Sequence, residues 1–244
     1  MKKLIIITLT LLTAISCVQR EYEPSFIRVK FGYSDYEEGK ITRVTVDNTK
    51  EIKDMISKTI PSEFPLDLCY ERTGMHFDTG IGEEISIPVG KYTIKGQNMV
   101  DRAIMLGDDS GISSTPTMNV LESMDINSSK SEYSLMAHFK CFAIVVSFKE
   151  VDRVCVEGKD IPFMRDGDYG IVYVDNMKSN FKIDVYPKDL TFNVAKSFTF
   201  SSKNINGLVF CQNGYYYLVH PNAVETSGLS FRLDYDEMNG VDVK

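Results

Sequence analysis

The sequence predicts a mainly β protein made of two tandem antiparallel β-sandwich domains, with one short amphipathic helix in the first domain. Three observations point to this fold class. Short runs of alternating apolar and polar residues recur between turn-forming residues throughout the chain. Residues 138–148 form an almost continuous apolar run, which is typical of a central strand covered on both faces. Asn213 and Gly214 lie between two apolar runs, and this dipeptide favours a type I′ hairpin turn.

The first two runs have the pattern of half-buried strands. Residues 25–31 place Ile27, Val29 and Phe31 on one face of a strand and mostly basic residues on the other. Residues 41–46 alternate in the same way. We therefore expect the two runs to pair as a hairpin.

The segment 48–60 has a different period. Ile52, Met55 and Ile56 recur at helical spacing, the segment begins with a capping-box pattern, and Pro61 follows it. We predict an amphipathic helix here, with its apolar stripe packed on a sheet.

Residues 83–98 predict two strands joined by an irregularity. Apolar residues alternate up to Val89, Gly90 marks a turn or bulge, and the alternation resumes with Tyr92 and Ile94.

The predicted domain boundary lies in the polar, turn-rich residues 125–132. The amino-terminal sandwich covers residues 25–130 and the carboxyl-terminal sandwich covers residues 131–244. Further strands of the second domain are predicted at 153–157, 169–174, 181–186 and 229–235.

The amino terminus has the pattern of an export signal, predicted to cover residues 1–16. Two lysines precede an apolar run, and small residues precede Cys17. The apolar run is shorter than the roughly 20 residues that a membrane-spanning helix needs. Residues 17–24 are polar and end in proline, so we interpret them as a tether.

The end of this signal resembles a bacterial lipobox, in which a small residue directly precedes a cysteine. The resemblance implies that Cys17 carries lipid, palmitate included, and that this lipid anchors the chain to a membrane. The 244-residue chain has a formal net charge of −7. This charge argues against a nucleic-acid partner.

Four further cysteines leave two alternatives open. They can pair into two disulfides, or each can pack as a small apolar residue within its strand-like run. The sequence contains no CxxC pair, which argues against a zinc or thiol-redox site. These cysteines are Cys69, Cys141, Cys155 and Cys211.

No sequence motif of a catalytic, metal or nucleotide site is present. The three histidines stand apart from potential co-ligands, and the aspartate clusters lack the spacing of an EF-hand loop. We therefore predict no catalytic residues, no metal, no cofactor and no enzymatic activity.

Tyr215 and Tyr217 are the most suggestive side chains. On a strand both rings face one way, so they could form a platform for a glycan or a protein partner. The alternative is that one face of this strand is core and the other a half-exposed wall. The absence of tryptophan weakens the glycan interpretation.

The stretch EEISIPVGKYTIKGQN, together with the lipobox, resembles the fimbrillin-like surface lipoproteins of Bacteroidota. The resemblance implies two transthyretin-like or Ig-like sandwiches on a lipid anchor. It further implies proteolytic processing, at Arg20 or Arg28, that removes the strand 25–31. A strand from another subunit, such as residues 229–235, then fills the groove by β-strand addition.

These observations favour a lipid-anchored, non-catalytic adhesion, fimbrial-type or interaction module. The resemblance places it at the outer membrane, on the periplasmic or the surface-exposed face. Two alternatives remain: a carbohydrate-binding surface lipoprotein, and a hydrolase whose catalytic residues are dispersed along the chain.

Overall fold

A computed structural model of the chain describes residues 25–34, 49–107, 109–175, 177–188, 195–222 and 230–238. These residues form one helix and twenty strands in four sheets, so the mainly β fold class is confirmed. The predicted signal, the tether and the strand at 41–46 lie outside the described residues. Within the described part of the chain, no helix is long and apolar enough to cross a membrane.

The four sheets are named A to D. Sheet A contains, in spatial order, β4 (Glu84–Pro88), β1 (Phe26–Tyr33) and β9 (Glu132–Leu135). Sheet B contains β10 (His138–Phe139), β8 (Met118–Ile126), β5 (Gly90–Gln97), β2 (Pro65–Tyr70) and β3 (Met75–Gly80). Sheet C contains β20 (Ser230–Glu237), β19 (Tyr215–Asn222), β11 (Cys141–Ser147), β15 (Tyr169–Asp175), β7 (Gly111–Ser113) and β6 (Arg102–Met105), and β14 (Met164–Asp166) also pairs with β15. Sheet D contains β13 (Lys159–Asp160), β12 (Val151–Val156), β16 (Phe181–Pro187), β17 (Lys196–Ser201) and β18 (Val209–Phe210).

Most strand pairs are antiparallel, as expected. Three described pairs are parallel instead: β1 with β9, β11 with β19, and β17 with β18. Parallel neighbours need a long crossover, so these pairs join segments that are far apart in the sequence or separated by a loop.

Sheet C lies between two hydrophobic clusters. All seven residues of β11 are buried, and the first six alternate between the clusters. Ala143 and Val145 belong to the cluster that also contains inward side chains of sheets A and B. Ile144 and Val146 belong to the cluster shared with sheet D. A strand covered on both faces needs apolar residues at every position, which explains the continuous run.

The helix α1 (Thr49–Thr59) forms where the helical spacing predicted it. Ile52, Met55 and Ile56 are buried in the first cluster and form the apolar stripe. The Lys58 side chain forms an ion pair with Asp166, which ties the exposed face of α1 to β14.

The predicted strand over residues 138–148 is divided in the structure. Its first two residues form β10 in sheet B, whereas β11 begins at Cys141 in sheet C. Between them the backbone N–H of Lys140 donates to the carbonyl oxygen of Thr117 at 2.8 Å. The exposed Lys140 therefore marks the change of sheet within an otherwise apolar run.

The hairpin predicted around Asn213 and Gly214 is wrong. A turn does occur there, and Gly214 has a φ of 81°. The strands on its two sides lie in different sheets, because β18 pairs with β17 and β19 pairs with β11 and β20. The turn therefore carries the chain from sheet D to sheet C.

Strands from both sides of residue 130 contribute to sheet C. β6 and β7 precede this residue, yet they extend the sheet beyond β15. Neither strand is among those that the sequence pattern predicts. The division into domains 25–130 and 131–244 stays a prediction.

Candidate functional site

The β1 site consists of β1 and its two neighbours, β4 and β9. β1 is the central strand of sheet A, antiparallel to β4 and parallel to β9. The pairing with β4 covers residues 26–30, and that with β9 covers residues 30–33. Further backbone bonds extend the ladder at both ends, from Val89 N–H to the Ser25 carbonyl (2.9 Å) and from Ser34 N–H to the Leu135 carbonyl (2.8 Å).

The inner face of β1 anchors it to the core. Val29 is 1% exposed and Phe31 is fully buried. The ring centroid of Phe31 lies 6.0 Å from that of Tyr133, and Ile87 and Leu135 belong to the same cluster. The outer side chains are exposed, including that of Phe26. The predicted strand and its apolar face are thus confirmed.

The two predicted processing residues differ in position. Arg20 lies outside the described residues, and Arg28 is exposed in the half of β1 that pairs with β4. A cut after Arg28 would free the first part of β1. Residues 29–33 would stay joined to the rest of the chain through the peptide backbone. Removal of the whole strand therefore requires a cut beyond Tyr33.

Tyr215 and Tyr217 lie on the same face of β19, as the strand period requires, but differ in exposure. Tyr217 is 3% exposed, and its hydroxyl donates to the Phe210 carbonyl oxygen at 3.0 Å. Tyr215 is partly buried and donates to Glu237 Oε1 at 2.9 Å. The exposed ring beside Tyr215 is that of Tyr235, at a centroid distance of 6.5 Å and 61% exposed. An aromatic platform at this place would consist of Tyr215 and Tyr235, because Tyr217 is covered.

Asp109 and Asp168, which belong to the aspartate clusters of the sequence, each form an ion pair with a lysine. Lys178 Nζ lies 3.3 Å from Asp109, and Lys149 Nζ lies 3.5 Å from Asp168. Among the described residues, no group of three or more histidine, cysteine, aspartate or glutamate side chains is placed to hold a metal ion.

Two of the three histidines have carboxylate partners that the sequence did not reveal. His76 Nδ1 lies 2.7 Å from Asp67 Oδ1, across β2 and β3. His220 Nε2 lies 2.6 Å from Asp234 Oδ2, across β19 and β20, with Arg232 beside them. Both contacts join neighbouring strands, so they stabilise strand pairs.

The four cysteines that the structure describes are free thiols. Cys69 is partly exposed and the other three are buried. Burial raises the pKa of Cys155 to about 11 and that of Cys211 to about 12, and it also raises the pKa of Cys141. These buried thiols are therefore protonated near neutral pH, and they pack as small apolar side chains.

Sequence reasoning missed a buried ion pair at the end of β15. Arg102 makes a bidentate contact with Asp175, with Nη2 at 2.8 Å from Oδ2. The backbone N–H of Gly111 and the hydroxyl of Thr117 also donate to this carboxylate, at 3.1 and 3.4 Å. No sequence motif predicts this cluster, because its members come from four separate segments of the chain.

Comparisons with known proteins give likenesses in structure. No protein-family model matches the sequence, and no curated protein matches it either. A proposed cell adhesion protein from Bacteroides uniformis is 10% identical over 75% of this chain and 94% of its own, with a TM-score of 0.46. The C-terminally truncated tip fimbrial protein Mfa3 from Porphyromonas gingivalis is 5% identical over 87% of this chain and 98% of its own, with a TM-score of 0.45.

A fimbrial assembly protein from Parabacteroides distasonis is also similar. It is 9% identical over 86% of this chain and 95% of its own, with a TM-score of 0.42. These structural neighbours are a proposed adhesion protein and two fimbrial proteins, the kind that the sequence resemblance named.

Proposed function

We propose that this chain is a lipid-anchored cell-envelope protein that acts as an adhesion or fimbrial-type interaction module. In this proposal Cys17 carries the lipid, and the β1 site exchanges its central strand for a strand of a protein partner. The observation that carries the proposal is the position of β1, an amino-terminal strand in the middle of a sheet.

The position of β1 suits strand exchange for two reasons. The first half of β1 bonds β4 and the second half bonds β9, so the departure of β1 exposes unpaired N–H and C=O groups on both neighbours. Its buried side chains, Val29 and Phe31, would leave an apolar groove between these strands. A new strand with apolar residues at alternate positions can bond the unpaired backbone groups and fill the apolar groove.

Strand exchange can be tested in the full chain with a cleavable linker. A recognition sequence for a specific protease is inserted within residues 35–40, outside the described residues, and the folded protein is cut there. We expect the cut protein to incorporate a fluorescent peptide of residues 25–34, measured by anisotropy, while its circular dichroism stays unchanged.

The matched control is the same peptide carrying Val29→Asp and Phe31→Asp. It keeps the backbone donors but loses the apolar anchors, so it should not incorporate. Failure of the unmodified peptide to enter folded, cut protein, even with gentle warming, would refute strand exchange at β1.

The lipid anchor needs a separate experiment. The full chain is produced in bacteria that acylate lipoproteins and are fed an alkyne-bearing palmitate analogue. We expect the label on the wild-type chain and none on the Cys17→Ala variant. A wild-type chain that is exported without label would refute the anchor and leave the strand-exchange proposal standing.

A further inference from the structure

A groove of about 590 Å³ crosses the solvent-facing side of sheet B. It extends over β3, β2, β5 and β8, and it has the size of a small-molecule site. The side chains that matter for the argument are those of Asp67, Asp78, Lys95, Gln97, Asn119 and Leu121.

The polar groups beside this groove satisfy one another. Glu71 accepts hydrogen bonds from Thr93 at 3.2 Å and Ser123 at 3.1 Å, and it forms an ion pair with Lys91 at 3.2 Å. His76 bonds Oδ1 of Asp67. This half of the sheet face is therefore cross-linked from strand to strand.

Two of the three charged groups within the groove differ from this pattern, since only Asp67 has a partner, His76. Asp78, Asp67 and Lys95 stand in register across three strands. Among the described residues, Asp78 and Lys95 make no ion pair or side-chain hydrogen bond, although both are exposed at the groove. Two carboxylates opposite each other on a sheet repel, so this row gains from a ligand that donates hydrogen bonds to them.

The far end of the groove adds an amide pair and an apolar wall. Gln97 and Asn119 are opposite each other in β5 and β8. The Asn119 Oδ1 atom is buried and has no hydrogen-bond partner within the described residues. Leu121, opposite Lys95, is 62% exposed. The Asn119 Oδ1 atom is covered by protein and out of reach of a ligand in the groove, so the contact that this end offers is the exposed apolar surface of Leu121, which a ligand can cover.

This combination selects a ligand chemistry. The two carboxylates outweigh the single Lys95 ammonium, so the row disfavours an anion such as phosphate, and Lys95, directly opposite Asp67, already offsets part of the attraction for a cation. Hydroxyl groups both donate and accept, so they can pair with carboxylates, amides and the ammonium together. The aliphatic wall at Leu121 suits the C–H face of a sugar ring. We propose that the groove on sheet B binds a neutral saccharide.

This inference names a ligand for the interaction module proposed above and rests on that proposal. It also relocates the carbohydrate alternative from the tyrosines of β19 to the face of sheet B. Strand exchange at β1 is measured by peptide incorporation, so failure of one experiment does not imply failure of the other.

The test uses the full chain in detergent and saturation-transfer difference NMR. The probes are glucose, galactose, mannose and N-acetylglucosamine, followed by a printed array of neutral oligosaccharides. We expect binding by the wild-type chain that weakens about tenfold or more in Asp78→Ala and in Lys95→Ala. The matched control is Asp125→Ala, an exposed aspartate on the same sheet face that lies outside the groove.

Several outcomes would overturn the proposal. One is the absence of a saccharide signal from folded wild-type chain in both experiments. Another is binding that survives both groove variants but disappears in Tyr235→Ala, which would place the site at the aromatic pair. Displacement of bound sugar by a lysine-rich peptide or by inorganic phosphate at equal concentration would show that the groove is an ion site instead. Melting temperatures of all variants must match that of the wild type.

Discussion

Replacement of Arg102 by methionine should destabilise the fold strongly. The Asp175 carboxylate is 4% exposed and Arg102 is 29% exposed. Loss of one partner from a buried ion pair costs about 3–5 kcal/mol, because a charge stays buried without its counter-ion. Gly111 and Thr117 still donate to the carboxylate in the variant, and Arg102 is partly hydrated. We therefore expect the free energy of unfolding to fall by about 3 kcal/mol, the lower end of this range.

The assay is urea unfolding, followed by circular dichroism and by tyrosine fluorescence, since the chain has 13 tyrosines and no tryptophan. The matched control is Lys178→Met, which removes the exposed ion pair with Asp109 and should cost less than about 1 kcal/mol. The double variant Arg102→Met/Asp175→Asn should recover part of the loss, because it removes the buried charge. Equal costs for the two single variants, or no recovery in the double variant, would refute the reasoning.

Three further predictions follow from single contacts. The Ser197 hydroxyl donates to Asp184 and holds the pKa of this carboxyl below its ordinary value. A carboxyl with a lowered pKa in the folded state contributes stability that is lost as the pH falls through that pKa. Ser197→Ala should therefore lower the free energy of unfolding near neutral pH, and the difference from wild type should fade below about pH 4, as measured by urea unfolding at several pH values. At Gly90, where φ is 149°, a Cβ would lie 2.6 Å from the Tyr70 ring, so Gly90→Ala should cost about 1–3 kcal/mol in the same assay. Iodoacetamide at pH 8 should alkylate Cys69 first and the three buried thiols only after unfolding, as mass spectrometry would show.

Local pattern was sufficient for elements whose environment is local. The alternation in β1 shows which side chains are buried, and the spacing of Ile52, Met55 and Ile56 predicts α1 to within one residue at each end. Both patterns reflect contact with a core on one side only. A single sequence period is enough to describe that situation.

Sheet membership could not be read from the same patterns. The turn at Asn213 and Gly214 has the residues of a hairpin, but the strand after it pairs in parallel with β11, which lies some 70 residues earlier in the chain. Turn chemistry fixes the local bend and leaves open which sheet takes up the next strand. β7 was missed for a related reason. Its three residues are buried because they pair with β15, and they show no alternation of apolar and polar residues that would predict a strand.

The candidate sites show the same division. β1 was predicted as a strand, but its central position depends on β9, about a hundred residues further along the chain. The groove on sheet B draws its side chains from four strands, and each of them looks like an ordinary exposed strand residue in the sequence. Only the register brings Asp78, Asp67 and Lys95 into one row.

The register of β1 also limits which strands can replace it. β4 is antiparallel and β9 is parallel, so an incoming strand must run in the direction of β1 to bond both. If the strand paired one residue out of register, Arg28 or Lys30 would take the buried position of Val29 or Phe31. A strand paired in that way would bury a charged side chain. A peptide of residues 25–34 in which Val29 and Lys30 exchange places has the same composition and net charge. We expect this peptide to be excluded from the cut protein, in the anisotropy assay, while the native order is incorporated; equal incorporation of both would mean that the side chains of β1 do not determine the exchange.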